Sequence, residues 1–260
     1  MEAFLSGASA ADSTSAERQI ISLGAGTDTR SLRLFSQSSY RDITYHEIDF
    51  PAICTKKLNI VKANPALRRC LSEPSLEPTG SWRATSNSGC TFWCHGQDLR
   101  DLSKNAGATS LPGLRSDIPT LLISECCLCY LEAEEASTVV KWFMERIKSI
   151  GMVLYEPTNP EDAFGKTMVD NLAARHIVMP TLSTYPRPES QITRMQGLGF
   201  EDARYRTSDQ IWDGWVPEQE KDRVNGREGL DEVEEWNLLA NHYVVAWGWR
   251  GQGFQGWVNL

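Results

Sequence analysis

Short apolar runs alternate along the chain with segments whose apolar residues have helical spacing. The predicted strands cover residues 19–23, 42–48, 91–94, 119–124, 152–155 and 242–247. The predicted helices cover residues 31–35, 52–61, 131–150, 162–175, 190–198 and 232–240. Strands that alternate with helices predict an α/β fold, with a doubly wound, mostly parallel sheet and helices on both of its faces.

Two segments fall outside this alternation. Residues 65–89 are rich in Pro, Ser, Gly and Thr and have little periodicity, which indicates a surface insertion. Residues 251–260 follow the last predicted strand and are expected to form a flexible tail. The sequence has no internal repeat, so we predict a single domain over residues 1–260.

Composition and charge narrow the class of protein. Hydrophobic residues make up 41% of the chain and charged residues 23%, which is typical of a globular protein. The net charge of -8 argues against a nucleic-acid partner, because such domains usually carry a basic patch. No apolar run approaches the roughly 20 residues that span a bilayer, so no membrane contact is expected.

The cysteines indicate a reducing compartment. The chain has seven cysteines, an odd number, and Cys126, Cys127 and Cys129 crowd into one apolar run. We interpret them as reduced thiols in a cytoplasmic protein, with the nucleus as a second possible compartment. Cys90, Cys94 and His95 have no similarly spaced second ligand pair, so buried side chains are favoured over a zinc site and no metal is predicted.

Glycine or acidic residues follow four of the predicted strands. Gly24 and Gly26 follow the first, Asp49 the second, Asp98 the third and Glu125 the fourth. Ligands of doubly wound sheets bind at the carboxyl ends of strands. Each feature alone is also consistent with a tight turn or a helix cap. Together, on four strand ends, they predict a site for an adenosine-containing cofactor.

The glycine turn favours S-adenosylmethionine over a dinucleotide. Dinucleotide enzymes need a third small residue, where this chain has Thr29, and Asp28 would place negative charge beside the phosphates. S-adenosylmethionine has no phosphate and carries two cationic groups, which suit an acid-lined pocket. Asp49 lies where a carboxylate accepts hydrogen bonds from both ribose hydroxyls.

The same segments resemble the cofactor motifs of the leucine carboxyl methyltransferase family. These motifs are residues 21–30 (ISLGAGTDTR), 47–51 (EIDFP), 98–102 (DLRDL) and 124–130 (SECCLCY). Further blocks that resemble the family are residues 155–157, 159–165, 184–186, 190–192, 197–200 and 242–248. The resemblance extends, in order, over residues 19–250.

This resemblance implies a class I, Rossmann-like, S-adenosylmethionine-dependent methyltransferase and assigns roles to residues. The residues it places at the cofactor are Gly24, Gly26, Asp49, Asp98, Leu99 and Glu125. It places Arg100 at the substrate carboxylate and Tyr130 in the substrate pocket. The alternatives are a surface arginine paired with Asp101 and a buried core tyrosine.

The implied reaction is methyl transfer to the C-terminal leucine α-carboxylate of the type 2A protein phosphatase catalytic subunit, by an enzyme that we expect to be a monomer. An α-carboxyl with a pKa of roughly 3.3–3.7 is already ionised near neutral pH, so no catalytic base is required. A relative that methylates another small carboxylate and a nicotinamide dehydrogenase are less favoured alternatives.

The chain departs from the family at its N-terminus. About 18 residues precede the first predicted strand, and residues 1–5 resemble the end of a helix. The resemblance implies a longer segment that covers the cofactor and supplies an arginine to its carboxylate. We therefore expect a more open pocket, and the alternative is a catalytically impaired binding protein that lacks this lid. Neither Arg18 nor Arg30 is assigned the missing role from sequence.

Overall fold

The computed structural model describes residues 1–6, 17–37, 40–77, 80–104, 111–227 and 233–260, and the strands of this part form one sheet. The strands are β1 (Arg18–Leu23), β2 (Ile43–Asp49), β3 (Ser75–Leu76), β4 (Trp82–Thr85), β5 (Thr91–Gly96), β6 (Thr120–Glu125), β7 (Ile150–Pro157), β8 (Asp202–Thr207) and β9 (Tyr243–Arg250). Across the sheet their order is β3-β4-β5-β2-β1-β6-β7-β9-β8.

Helices connect most of the strands, and local sequence explains several of their ends. They are α1 (Glu2–Ser6), α2 (Arg30–Phe35), α3 (Pro51–Ala63), α4 (Pro65–Arg68), α5 (Asp101–Lys104), α6 (Ala133–Arg146), α7 (Ala163–Ala173), α8 (Pro180–Thr184), α9 (Ser190–Leu198), α10 (Ser208–Trp215), α11 (Glu218–Asn225) and α12 (Val233–Asn241), with 3-10 helices at Leu128–Tyr130 and Gln255–Trp257. Pro51 begins α3, where a missing N–H costs nothing. Gly199 ends α9 in the left-handed conformation, with φ of 99°. No helix of the described part is long and apolar enough to cross a membrane.

The centre of the sheet is parallel, which confirms the predicted fold. β1 pairs in parallel with both β2 and β6, and every residue of β1 is buried. Ile21 packs in the same core cluster as Phe143 of α6, whereas its neighbour Ile20 packs with Leu58 of α3. Because successive side chains of a strand point to opposite faces, helices cover both faces of the sheet.

The register of the central strands positions the site. Leu23, the last residue of β1, lies opposite Ile48 of β2 and Ser124 of β6. The residues that follow these three strands therefore meet at one edge of the sheet.

The far side of the sheet is antiparallel, and part of it was not predicted. β9 pairs antiparallel with both β7 and β8. β8 was not predicted, because its residues DARYRT lack an apolar run, as suits a strand at the edge of the sheet. The predicted helix over residues 131–150 was too long, because Ile150 pairs with Thr120 as the first residue of β7.

The prediction of a surface insertion over residues 65–89 was wrong for β4. This strand pairs antiparallel with β5 and extends the sheet. Trp82 is fully buried, packs on Phe92 with 4.9 Å between ring centroids, and donates from its indole N–H to the Cys54 carbonyl. The strand escaped prediction because it has only four residues between Ser- and Gly-rich stretches.

The prediction of a flexible tail over residues 251–260 was also wrong for its middle. Phe254 and Trp257 are buried, and Phe254 stacks on Phe4 of α1 at 5.3 Å. A side chain at Gly151 would lie 2.4 Å from the Phe254 ring, so this glycine makes room for the tail. Aromatic residues separated by glycines gave no periodic signal, although their burial anchors the segment.

Candidate active site

The loop after β1 brings its backbone into close contact with the residues that follow β6. Gly24 has φ of +60° and Gly26 has φ of +50°, a region that other residues rarely adopt. A Cβ atom at Gly24 would lie 2.5 Å from the Sγ atom of Cys127. Glycine at position 24 is therefore required both by its backbone conformation and by the close contact with Cys127.

Asp49, at the end of β2, holds this loop in place. Its Oδ2 atom accepts a hydrogen bond of 2.7 Å from the Gly26 amide, and its Oδ1 atom accepts one of 2.7 Å from the Phe50 amide. A carboxylate can accept about four hydrogen bonds, so each oxygen retains a free lone pair. The half-buried side chain can therefore support the loop and also accept hydrogen bonds from a ligand hydroxyl.

Two cavities meet at Gly24. The first cavity, of about 330 Å³, is lined by predicted site residues Gly24, Asp49, Asp98, Leu99, Arg100 and Tyr130. The second cavity, of about 390 Å³, is lined by Gly24, Gly26 and Glu125, together with Arg30. The structure thus brings all of the predicted site residues to one edge of the sheet.

Arg100 is held at the first cavity by Asp98. The Asp98 carboxylate accepts hydrogen bonds of 3.0 Å from Nε and 2.6 Å from Nη2 of Arg100, and also one from the Arg100 amide. Of the alternative, the exposed position is confirmed, since the Arg100 side chain is 43% exposed, but the partner was wrong, because Arg100 binds Asp98 and Asp101 binds Lys104. The side-chain hydrogen bond from Arg100 lowers the pKa of Asp98. A guanidinium has five N–H groups, so others remain for a second anion.

Tyr130 lies at the mouth of the first cavity. Its side chain is 48% exposed, so the alternative of a buried core tyrosine was wrong. Partial burial raises the pKa of Tyr130 to about 12, and its hydroxyl stays protonated near neutral pH. It can donate a hydrogen bond but does not act as a base there.

Sequence reasoning missed the role of Arg30 in the second cavity. Its guanidinium donates to Asp28 at 2.8 Å and to Glu125 at 2.5 Å. The negative charge of Asp28 is thus compensated by an arginine two residues away, and the acid-lined pocket also contains a cation. The i, i+2 spacing of Asp28 and Arg30 was the available sequence signal, and it matches the spacing of Asp98 and Arg100.

A buried ion pair between Lys57 and Glu47 supports the loop after β1 from within the core. Lys57 of α3 binds the Glu47 carboxylate and donates to the Asp28 carbonyl at 2.7 Å. Ser31 donates to the other Glu47 oxygen at 3.0 Å. Burial raises the pKa of Glu47 to about 7, while Lys57 opposes this rise. The sequence did not predict a buried lysine, since a lysine in a helix usually faces solvent.

The cysteines divide between the core and the cavity. Cys90 and Cys94 are buried in the core, and His95 is buried against His46, with 2.9 Å between their ring nitrogens. Among the described residues, no group of three or more potential ligands could hold a metal ion. Cys126 and Cys127 instead line the first cavity, a role that sequence reasoning did not assign.

A glycine turn after β1 and carboxylates after β2, β5 and β6, on a doubly wound sheet, define a methyltransferase-type cofactor site. In fold, the chain is similar to a putative methyltransferase from Thermobifida fusca YX, with TM-score 0.55 and 11% identity over 96% of this chain and 80% of that one. It is also similar to the methyltransferase SibL, with TM-score 0.50 and 11% identity over 91% of this chain and 51% of that one. The chain therefore has the fold of the S-adenosylmethionine-dependent methyltransferases.

Sequence comparison identifies the family. The family model described as leucine carboxyl methyltransferase matches residues 2–144. The protein named leucine carboxyl methyltransferase 1 of Emericella nidulans is 42% identical, over 94% of this chain and 69% of that protein. Its namesake in Rattus norvegicus is 33% identical, over 90% of this chain and 70% of that protein. The chain belongs to the leucine carboxyl methyltransferase family.

Proposed function

We propose that the chain methylates the α-carboxylate of a C-terminal leucine, with the catalytic subunit of type 2A protein phosphatase as its substrate. The names of its relatives support a leucine carboxyl group as the acceptor. The observation that carries the proposal is the Arg100 guanidinium, which Asp98 holds in the wall of the first cavity. A planar guanidinium binds a carboxylate through two parallel hydrogen bonds, which suits this acceptor.

The residues of both cavities fit S-adenosylmethionine. In the first cavity, the free lone pairs of Asp49 suit ribose hydroxyls, and Leu99 and Phe50 add apolar surface. In the second cavity, Arg30 and Glu125 carry opposite charges 2.5 Å apart and thus complement a carboxylate and an ammonium, the two charged groups of a methionine. When bound, the cofactor supplies an electrophilic methyl group.

The residues of this chain then need only to orient the acceptor and exclude water. The leucine carboxylate is already an anion, and Tyr130, with its pKa raised to about 12, can donate a hydrogen bond but does not act as a base. Arg100 can orient the leucine carboxylate, because its hydrogen bonds to Asp98 restrict the movement of the guanidinium. Orientation of two reactants can contribute about 7–11 kcal/mol to lowering a barrier.

The test is methylation of a peptide with a free C-terminal leucine, compared with the same peptide amidated at its C-terminus. Release of methanol in mild base identifies the product as an ester. We expect methylation of the free peptide only, and micromolar S-adenosylmethionine binding by calorimetry that Asp49→Ala abolishes. Equal methylation of the amidated peptide would contradict the proposal. Binding without methylation would support the impaired-enzyme alternative.

Arg115 provides a matched control for Arg100. It binds Asp117 through Nε and Nη2 at 2.7 and 2.6 Å, the same i, i+2 arrangement, but it lines neither cavity. A lost charge-assisted hydrogen bond costs about 1.5–3 kcal/mol, so Arg100→Gln should lower kcat/KM for the peptide about 10- to 150-fold. Arg115→Gln should leave it unchanged, and Arg30→Gln should weaken S-adenosylmethionine binding instead.

The same proposal makes the phosphatase catalytic subunit the protein partner and the cytoplasm the compartment, with the chain acting as a monomer. All seven cysteines are free thiols, which supports a reducing compartment. Light scattering on the purified chain tests whether it is a monomer, and fluorescence imaging of a tagged chain tests whether it is in the cytoplasm.

A further inference from the structure

A pair of cysteines separated by two residues begins at the first cavity. Cys126 and Cys127 line the cavity directly after β6, and Cys129 follows in the 3-10 helix at Leu128–Tyr130. Cys126 is half-buried and accessible from the cavity, whereas Cys129 is fully buried. The sequence Cys126-x-x-Cys129 therefore joins one accessible sulfur to one protected sulfur.

The backbone places these two cysteines within one tight turn. Cys126 has φ of +43°, which non-glycine residues rarely adopt, and its amide donates to the Tyr155 carbonyl at 2.9 Å. The chain thus turns sharply after β6 and then forms a single helical turn. In this turn the Cys129 thiol donates a hydrogen bond to the Cys126 sulfur, which lowers the pKa of Cys126.

We propose that Cys126 and Cys129 form a reversible disulfide on exposure to hydrogen peroxide, and that this modification weakens cofactor binding. The Cys126 thiolate attacks one peroxide oxygen, so that an S–O bond forms, the O–O bond breaks and the second oxygen leaves as water after protonation. The Cys129 thiol then attacks the Cys126 sulfur, so that the S–S bond forms, the S–O bond breaks and a second water leaves. Two thiols are oxidised and one peroxide is reduced; a dithiol reverses the change by exchange.

The tight packing around Gly24 links the disulfide to the cofactor. Cys127 lies between the two reacting cysteines, and its Sγ atom is so close to Gly24 that even a methyl group does not fit between them. A shift of the turn on oxidation therefore moves Cys127 against the loop that the two cavities share. By linkage, a ligand that fills the first cavity protects Cys126 to the same extent that oxidation weakens its binding.

Other cysteines of the chain lack this combination. Cys54 and Cys94 also share a hydrogen bond, but both are at most 2% exposed and line neither cavity. Cys70 is partly exposed, but its thiol donates to the Ala66 carbonyl within one helical turn. Cys70 is therefore the matched control: an oxidant can reach its thiol, but the thiol lies outside the cavity.

The experiment treats the reduced full chain with hydrogen peroxide, alkylates the remaining thiols, and maps the products by mass spectrometry. We expect a chain lighter by two hydrogen atoms, with a crosslink between Cys126 and Cys129 that dithiothreitol removes. Cys129→Ser should instead retain a Cys126 sulfenic acid that dimedone traps, and Cys70→Ser should form the crosslink as the unmodified chain does. A disulfide between Cys126 and Cys127, or oxidation confined to Cys70, would overturn the assignment.

Calorimetry with S-adenosylmethionine tests the consequence for binding. We expect about tenfold weaker binding after oxidation, equivalent to about 1.4 kcal/mol, and recovery after reduction. In a redox buffer of reduced and oxidised dithiothreitol, saturating S-adenosylmethionine should shift the equilibrium between dithiol and disulfide about tenfold toward the dithiol. Unchanged affinity of the crosslinked chain would refute the link to the cofactor. The inference rests on the cofactor site of the proposed function and not on its leucine substrate. If peptide methylation fails, crosslinking and S-adenosylmethionine binding can still be measured and still test the inference.

Discussion

Replacement of Gly24 by alanine tests whether the cofactor loop depends on the contact with Cys127. An alanine at φ of +60° costs about 1–2 kcal/mol from its backbone conformation alone. Its Cβ atom would lie 2.5 Å from the Sγ atom and 2.9 Å from the Cβ atom of Cys127, and such overpacking costs about 1–3 kcal/mol more. We therefore expect Gly24→Ala to lower the free energy of unfolding by about 2–5 kcal/mol.

Two other glycines separate these contributions. Gly26 has φ of +50°, but a Cβ atom there would lie 4.0 Å from its nearest neighbour, so Gly26→Ala should cost only the backbone part, about 1–2 kcal/mol. Gly197 lies within α9, and a Cβ atom there would contact nothing within 4 Å. Gly197→Ala should therefore stabilise the chain by about 0.4–1 kcal/mol.

The assay is urea unfolding at fixed pH, with the midpoint compared at an unchanged slope. Cys127→Gly removes both contacting atoms, so in that background Gly24→Ala should cost no more than Gly26→Ala does. The double-mutant cycle should give a coupling energy of about 1–3 kcal/mol. If Gly24→Ala is no worse than Gly26→Ala, or if Cys127→Gly does not relieve it, the contact does not constrain the loop.

Further predictions concern the core and its charges. Trp82→Ala should lower the free energy of unfolding by about 3–5 kcal/mol, because the Trp82 side chain is fully buried. Leu76, on the neighbouring strand, is 59% exposed, so Leu76→Ala should change that free energy by less than about 0.5 kcal/mol. Equally small effects of both variants in urea unfolding would show that β4 is not buried in the sheet. Arg194→Met should cost about 3–5 kcal/mol by leaving the Glu156 carboxylate, only 3% exposed, without its ion pair, and an unchanged melting temperature would contradict this. Burial lowers the pKa of His95 from 6.5 to about 4, so between these pH values the unfolded chain binds a proton at this residue that the folded chain does not. The free energy of unfolding, measured relative to that of His95→Gln so that other titrating groups cancel, should therefore fall by about 3 kcal/mol as the pH falls from 7 to 4. A difference in urea midpoints that stays constant between pH 7 and 5 would refute it.

The sheet was largely predictable because its central strands are apolar on both faces. A short apolar run such as Gln19–Leu23 is typical of a parallel strand that is buried on both faces. The glycines directly after it predict the tight turn that ends the strand. Trp82 was not predictable, because a four-residue strand contributes too few positions for an alternating pattern to stand out from its Ser- and Gly-rich surroundings.

The site was predictable where a residue directly follows a strand and not where its partner is distant. Asp49 and Glu125 could be assigned from strand ends alone. The pairing of Arg30 with Glu125, 95 residues away, depends on how two loops meet in three dimensions. The contact between Gly24 and Cys127 depends on the positive φ of Cys126. A cysteine in a sequence does not indicate a positive φ, so this contact could not be predicted.

The alignment of β1 with β2 and β6 at one edge also has a consequence for folding. The two cavities use residues from Ser22 to Leu131, so neither cavity exists until strands far apart in sequence have paired. Such non-local pairing is slow to form, and a partly folded chain has no cofactor pocket. The cofactor therefore binds only the fully paired sheet, and at a hundred times its Kd it would add about 2.7 kcal/mol to the stability of that state by mass action. The concentration of S-adenosylmethionine should accordingly influence how much of the newly made chain persists in folded form, independently of any methyl group transferred.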